Sequence, residues 1–159
     1  MGSSSDLAAM QPAADVLAEL GVPVEVRALS AHRSPEQAIE FARSAAKNGF
    51  KVLICGAGGA AHLAGVVAAH ALLPVIGVPL ARSLGGLDAL YSTVQMPPGI
   101  PVATVAIDGA LNAGLLAATI LALGDPLLAT RLRARREETT GKVLASDDEV
   151  REKGSRLLD

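Results

Sequence analysis

His32 and Arg33 stand side by side in Ser30-Ala31-His32-Arg33-Ser34-Pro35, offering a proton carrier next to an anion clamp. An imidazole exchanges a proton near neutral pH, and a guanidinium grips a carboxylate or phosphate through a forked pair of hydrogen bonds. A loop histidine alone is more often inert; the adjacent arginine moves the reading toward chemistry. Two further stretches carry candidate groups: Gly2-Ser3-Ser4-Ser5-Asp6 and Gly56-Ala57-Gly58-Gly59-Ala60-Ala61-His62-Leu63. Ser3, Ser4, Ser5 and Ser30 add hydroxyl donors, although any one of them is more often a cap or turn former. His62 reads equally well as a second polar group of a site and as a satisfied core histidine, and His70 reads as structural. Cys55, in the apolar run Val52-Leu53-Ile54-Cys55, reads as a small buried hydrophobe rather than a catalytic thiol.

The glycine run satisfies G-x-G-x-x-A, but a dinucleotide site also needs an acid about 20 residues further on for the ribose. No Asp or Glu occurs between Gly56 and Asp88, so NAD and FAD are rejected. The glycines still allow a backbone to come close to some ligand. The three histidines are scattered, with no paired carboxylates near them, so no metal set is expected. There is also no Walker lysine and no nucleophile elbow. What is left is proton transfer inside an anion-binding pocket, with no cofactor.

These residues need elements to hold them. Ser34 as the side-chain cap, Pro35 at the first helical position and Gln37 three after the Ser predict a helix running to about Gly49. Helices are also expected from Ser5, read as an N-cap, to Leu20, with Pro12 kinking it or delaying its start, and from about Ala61 to Ala71, Leu87 to Met96 and Gly109 to Leu123. Short apolar strands are expected at Val22–Leu29, Lys51–Cys55, Pro74–Val78 and Pro101–Ile107. Continuous apolar strands alternating with helices predict a parallel sheet covered on both faces, a three-layer α/β/α doubly wound domain. In such folds ligands sit beyond the carboxyl ends of the strands. The Ser30–Arg33 and Gly56–Ala61 loops both fall there. After Gly124-Asp125-Pro126, charged helices are expected at Leu127 to Thr140 and near Asp147 to Leu157. The division is thus a catalytic domain over 1–124 and C-terminal charged helices over 125–159, on the same or a neighbouring subunit.

Composition narrows the function classes. The chain has 159 residues, half of them apolar, which predicts one domain with a sizeable core. Fourteen Lys and Arg against sixteen Asp and Glu leave no basic surplus for nucleic acid. With only Phe41, Phe50 and Tyr91 there is no stacking platform for single strands. From Val52 to Gly124 the only charged residues are Arg82, Asp88 and Asp108, yet Gly and Pro break the run before it reaches membrane-spanning length. No membrane segment or secretory signal is expected. A lone cysteine points to a reducing, cytoplasmic setting.

Five motifs in order resemble one family. They are Met1-Gly2-Ser3-Ser4-Ser5-Asp6, Ser30 to Pro35, Gly56 to Leu63, Leu73-Pro74-Val75-Ile76-Gly77-Val78-Pro79, and Val94-Gln95-Met96-Pro97-Pro98-Gly99-Ile100-Pro101-Val102. The chain resembles the class I N(5)-carboxyaminoimidazole ribonucleotide mutases over about residues 1 to 145. That resemblance implies a flavodoxin-like fold and an isomerase of purine synthesis. A carboxylate would move from the exocyclic nitrogen to ring carbon four of an aminoimidazole ribonucleotide, by decarboxylation and recarboxylation. It also implies His32 as proton shuttle and Ser3, Asp6 and Arg33 as substrate-binding residues. Ser5 and Ser30 would contact phosphate and ribose, and Gly58, Gly59, Ala60, His62 and Leu63 would line the carboxylate pocket. A homo-octamer is implied as well. Its independent hint is Ala110 to Leu123, which has no charged residue on any face.

The chain departs from the family pattern in carrying Ala64 where proline is usual, Ala89 in Asp88-Ala89-Leu90, and a short loop after Val78-Pro79 containing Arg82. The strand that usually precedes Met-Gly-Ser is also missing from the sequence, and a start further upstream is the expected explanation. Two other functions stand beside the mutase: a direct carboxylase using carbon dioxide, whose histidine is typically followed by Lys, and a non-catalytic anion- or nucleotide-binding module.

Overall fold

The computed structural model describes residues 1–155. Its sheet is parallel and has three strands, β1 (Leu53–Gly58), β2 (Val75–Leu80) and β3 (Ala103–Thr104), in the order β1-β2-β3. Leu53 pairs with Val75 and Gly58 with Leu80; Ile76 pairs with Ala103. Six helices surround it: α1 (Leu7–Glu19), α2 (Pro35–Ser44), α3 (Leu63–His70), α4 (Leu87–Val94), α5 (Ala110–Ala122) and α6 (Pro126–Ser155).

Side chains alternate across the strands, so the two faces feed separate cores. Ile76, Val78 and Leu80 point to a layer made by α1, α5 and the first turns of α6, around Val16, Ala117 and Leu128. Leu53, Cys55 and Val75 point the other way, to α2 and α3 around Ala42, Leu63 and Val67. Thr93 of α4 packs on Gly77 on that same side. This is the three-layer α/β/α arrangement. Small residues let the layers close up. A Cβ on Gly56 would run into Met10 of α1, whose Cγ would lie 2.8 Å away.

Several boundaries differ from expectation. Val22–Leu29 lies extended but is no strand of the sheet, because no laddered neighbour flanks it. Of Pro101–Ile107 only Ala103–Thr104 pairs with β2 as a strand. Helix α1 starts at Leu7, and the preceding turn, Ser4–Asp6, is 3-10 with Ser3 rather than Ser5 at its N-cap. Pro12 lies inside α1 without ending it, on the exposed side of the helix. The tail is one helix rather than two, continuing through Gly141. The last residues of the second expected tail helix, 156–157, fall outside the described ones. Among the described residues, no helix is long and apolar enough to cross a membrane.

Candidate active site

The expected edge of the sheet does gather the candidate residues. Four chain segments end there: Met1–Gly2, the extended run to Leu29, β1 and β2. Gly2, Ser3, Ser5, Asp6, Ser30, His32, Arg33, Gly58, Ala60, Leu63 and Arg82 are among the residues around one cavity of about 380 Å³. That volume lies in the usual range for small-molecule sites, about 300–1,000 Å³.

The His32 loop is built by its two serines. Ser30 Oγ accepts the backbone N–H of Arg33 at 3.1 Å and of His32 at 3.4 Å. Ser34, expected to cap α2 with its side chain, instead turns its hydroxyl back on Ser30, accepting from its N–H at 2.9 Å and donating to its carbonyl at 3.2 Å. The pair closes the loop into a small rigid turn. From it Arg33 donates to the Gly2 carbonyl at 3.0 Å, tying the first residues of the chain to the site.

His32 meets His62. Nε2 of His32 lies 2.9 Å from Nδ1 of His62, with the rings edge to face at 84°. At that distance one nitrogen carries the shared proton and the other accepts it, so the tautomers of His32 and His62 are coupled. His62 is placed by the turn after β1, where Gly59 sits at φ +64° and the His62 N–H donates to the Ala60 carbonyl. His62 therefore joins the site through His32, although neither it nor Gly59 lines the cavity wall. His70 bonds the Val66 carbonyl of its own helix, the structural role read for it.

Asp6 is buried and holds Arg82. The Arg82 guanidinium reaches Asp6 Oδ1 from one nitrogen at 2.6 Å and from Nε at 3.1 Å, and donates to the Ser5 carbonyl at 2.5 Å. Its stem lies across Gly58, where a Cβ would come within 3.0 Å of Arg82 Cβ and 3.1 Å of the Leu80 carbonyl. Ser3 Oγ accepts from Ser5 Oγ at 3.0 Å and caps the 3-10 turn. Arg82 was not among the expected site residues. The signal was there: it is the only Lys or Arg from Val52 to Gly124. The cavity thus has two guanidiniums, Arg33 and Arg82, one carboxylate, Asp6, and one histidine, His32, backed by His62. It can bind a polyanion and move a proton.

Cys55, in β1, buries its side chain in the core under α2 and α3, and burial pushes its thiol up to about 11. It stays protonated at neutral pH and does not serve as a nucleophile.

Comparison with known proteins agrees with this arrangement. The family model described as AIR carboxylase matches residues 1–142. A Haemophilus influenzae protein named N5-carboxyaminoimidazole ribonucleotide mutase is 59% identical over 151 residues, covering 93% of this chain and 92% of that protein. A Bacillus subtilis protein of the same name is 54% identical over 153 residues, covering 94% of each chain. The crystal structure of Treponema denticola PurE superposes with a TM-score of 0.85 at 32% identity, covering 94% of each chain.

Proposed function

The chain belongs to the AIR carboxylase family, and from that premise we propose that it is an N5-carboxyaminoimidazole ribonucleotide mutase. The observation that carries this is His32, paired with His62, in the wall of a cavity that Arg33 and Arg82 also line. The substrate brings two anionic groups, a phosphate and a carbamate carboxylate. Arg33 and the hydroxyls of Ser3, Ser5 and Ser30 take the polyanion; Asp6, held by Arg82, binds ribose hydroxyls. The backbone from Gly58 to Leu63 shapes the carboxylate end.

The chemistry then needs one proton carrier. Protonated His32 delivers a proton to the exocyclic nitrogen as its bond to the carboxylate carbon breaks and carbon dioxide leaves. Ring carbon four attacks the trapped carbon dioxide, and its proton returns to His32. The net proton count is zero and His32 is regenerated. A closed pocket retains the gas and excludes water.

The same proposal includes a homo-octamer. A stripe of exposed apolar side chains, Leu84, Leu87, Tyr91 and Val94, runs along α4 and its lead-in turn, and Leu111 of α5 and Leu123 just beyond it are exposed as well. Beyond the Arg135–Glu19 ion pair, α6 carries Val143, Leu144 and Val150 exposed, as expected of a helix that crosses to a neighbour. A monomer in sedimentation at micromolar concentration overturns this part. The lone, unpaired thiol suits a reducing compartment, and a cytoplasmic setting belongs to the proposal.

The family model's own description favours one second reading, a carboxylase acting on the unmodified ribonucleotide. Purified carboxyaminoimidazole isomers, incubated without ATP or bicarbonate, separate the two. Interconversion supports the mutase. Turnover only of the unmodified ribonucleotide with carbon dioxide supports the carboxylase.

A further inference from the structure

Several donors around the cavity have no acceptor among the described residues. Ser3 Oγ accepts from the Ser5 N–H at 3.3 Å and from the Ser5 hydroxyl at 3.0 Å, so its own proton is left to give. Ser30 Oγ likewise takes the N–H groups of His32 and Arg33, and its proton is left as well. A guanidinium carries five N–H donors. Arg33 commits one, to the Gly2 carbonyl. Arg82 commits those on Nε and Nη2, to Asp6 Oδ1 and the Ser5 carbonyl. Both N–H groups of Arg82 Nη1 stay without an acceptor among the described residues.

The two arginines bracket one turn. Arg33 holds the Gly2 carbonyl at its start and Arg82 the Ser5 carbonyl at its end, with Ser3 between them. The chain around Arg82 is pinned. The Ala81 N–H donates to Asp108 Oδ1 at 3.1 Å, and the Arg82 N–H donates to the Leu80 carbonyl at 2.9 Å. Asp108 is itself fixed, with its N–H on the Pro79 carbonyl at 2.8 Å. The stem of Arg82 lies over Gly58 and its head lines the cavity. Charge decides which ligand suits this set. Of the residues around the cavity only Asp6, Arg33 and Arg82 carry a fixed charge. Without Arg82, Asp6 would cancel Arg33 and a dianion would meet a neutral wall; with it the wall is positive.

We infer that Arg82 is a substrate-binding residue: its Nη1 edge, with Arg33 and the Ser3 and Ser30 hydroxyls, clamps the phosphomonoester dianion of the substrate. A phosphate brings three strong acceptor oxygens to these four donor groups, where a carboxylate brings two. The inference rests on the mutase reading for the ribonucleotide that carries the phosphate. Arg82 lies in the short loop where the chain departs from the family pattern, so the resemblance assigns it no role. Arg82 therefore does two things at once: one edge holds Asp6 in place, and the other meets the ligand.

The test takes inorganic phosphate as the probe, titrated into the folded chain and followed by phosphorus NMR. At about 0.15 M salt, charges acting from beyond about 8 Å are largely screened, so a large effect needs contact. Asp6→Asn is the reference, because it removes the charge that would be orphaned when Arg82 is cut. Adding Arg82→Met to Asp6→Asn weakens phosphate binding by about 10-fold or more, the loss of a hydrogen bond to a charged group. A smaller loss overturns the inference and leaves Arg82 as a support for Asp6 alone. So does a native chain that does not bind phosphate. If the double variant does not fold, Arg82→Lys keeps a cation beside Asp6 and loses the second edge of the fork. It is expected to lose phosphate affinity likewise, and native affinity in it overturns the inference. Interconversion of the carboxyaminoimidazole isomers by the unmodified chain is assayed separately. Its absence sinks the mutase reading, and the phosphate titration still decides whether Arg82 clamps the anion.

Discussion

Replacing Arg82 with methionine keeps most of the stem that lies over Gly58 and removes only the guanidinium. Asp6 is then left with its carboxylate buried and without its cation. An exposed ion pair is worth about 0–1 kcal/mol, and stripping the partner from a fully buried charge costs about 3–5 kcal/mol. This pair lies between those limits: the Asp6 side chain is 7% exposed, the Arg82 side chain 45%. The expected loss is therefore about 1–3 kcal/mol. For a domain of this size each kcal/mol moves the melting temperature by about 2–4 °C, so Arg82→Met lowers it by about 2–12 °C. Asp6→Asn removes the charge that Arg82 serves. In the Asp6→Asn background Arg82→Met then costs much less, and a double-mutant cycle by chemical denaturation gives a coupling energy of about 1–2 kcal/mol. The Michaelis constant rises in both single variants, since both loosen the same wall of the cavity. Additive effects, within about 0.5 kcal/mol, would refute the view that these two side chains act as one unit across the site.

Three further outcomes are expected. Arg33→Lys offers a point charge in place of a fork, so it weakens substrate binding with little change in melting temperature; unchanged steady-state constants count against an anion contact at Arg33. Gly56→Ala forces its Cβ into Met10 and costs about 1–3 kcal/mol, and Met10→Ala in the same chain makes the change cheaper, read by denaturant unfolding. Cys55 binds its proton more tightly folded, about 11 against 9.0 unfolded, so its stabilisation is full below pH 9 and is lost as pH rises toward 11, by about 2–3 kcal/mol. Cys55→Ala lacks that part of the alkaline loss, and the native thiol resists a thiol reagent at pH 8; rapid labelling of the folded chain contradicts the burial.

The order of elements was legible because each helix and buried strand has its own local signal. Pro35 opens α2, apolar runs mark β1 and β2, and Gly109 precedes α5. Loops that follow parallel strands share an edge, which brings Gly58 and Arg82 together after β1 and β2; Ser30, His32 and Arg33 reach the same cavity from the extended run that was expected as a strand. Ladders were less legible, because pairing belongs to two segments at once. Val22–Leu29 has the composition of a strand, but among the described residues its ladder bonds, from Arg27 and Leu29, go to Met1 alone. Ser34 looked like a cap because local spacing cannot show that Ser30 competes for its hydroxyl. Arg82 was missed as a site residue because its partner, Asp6, lies 76 positions away in sequence, and no motif links the two.

The account rests most heavily on His32 as the carrier of the proton between ring carbon four and the exocyclic nitrogen. The direct measurement is single-turnover conversion of N5-carboxyaminoimidazole ribonucleotide by His32→Asn, with substrate binding measured calorimetrically on the same preparation. A positioned acid-base residue contributes typically about 10²–10⁴-fold. The variant is expected to bind substrate with near-native affinity and to convert it at least about 100-fold more slowly. Conversion at a near-native rate with binding intact would contradict the assignment.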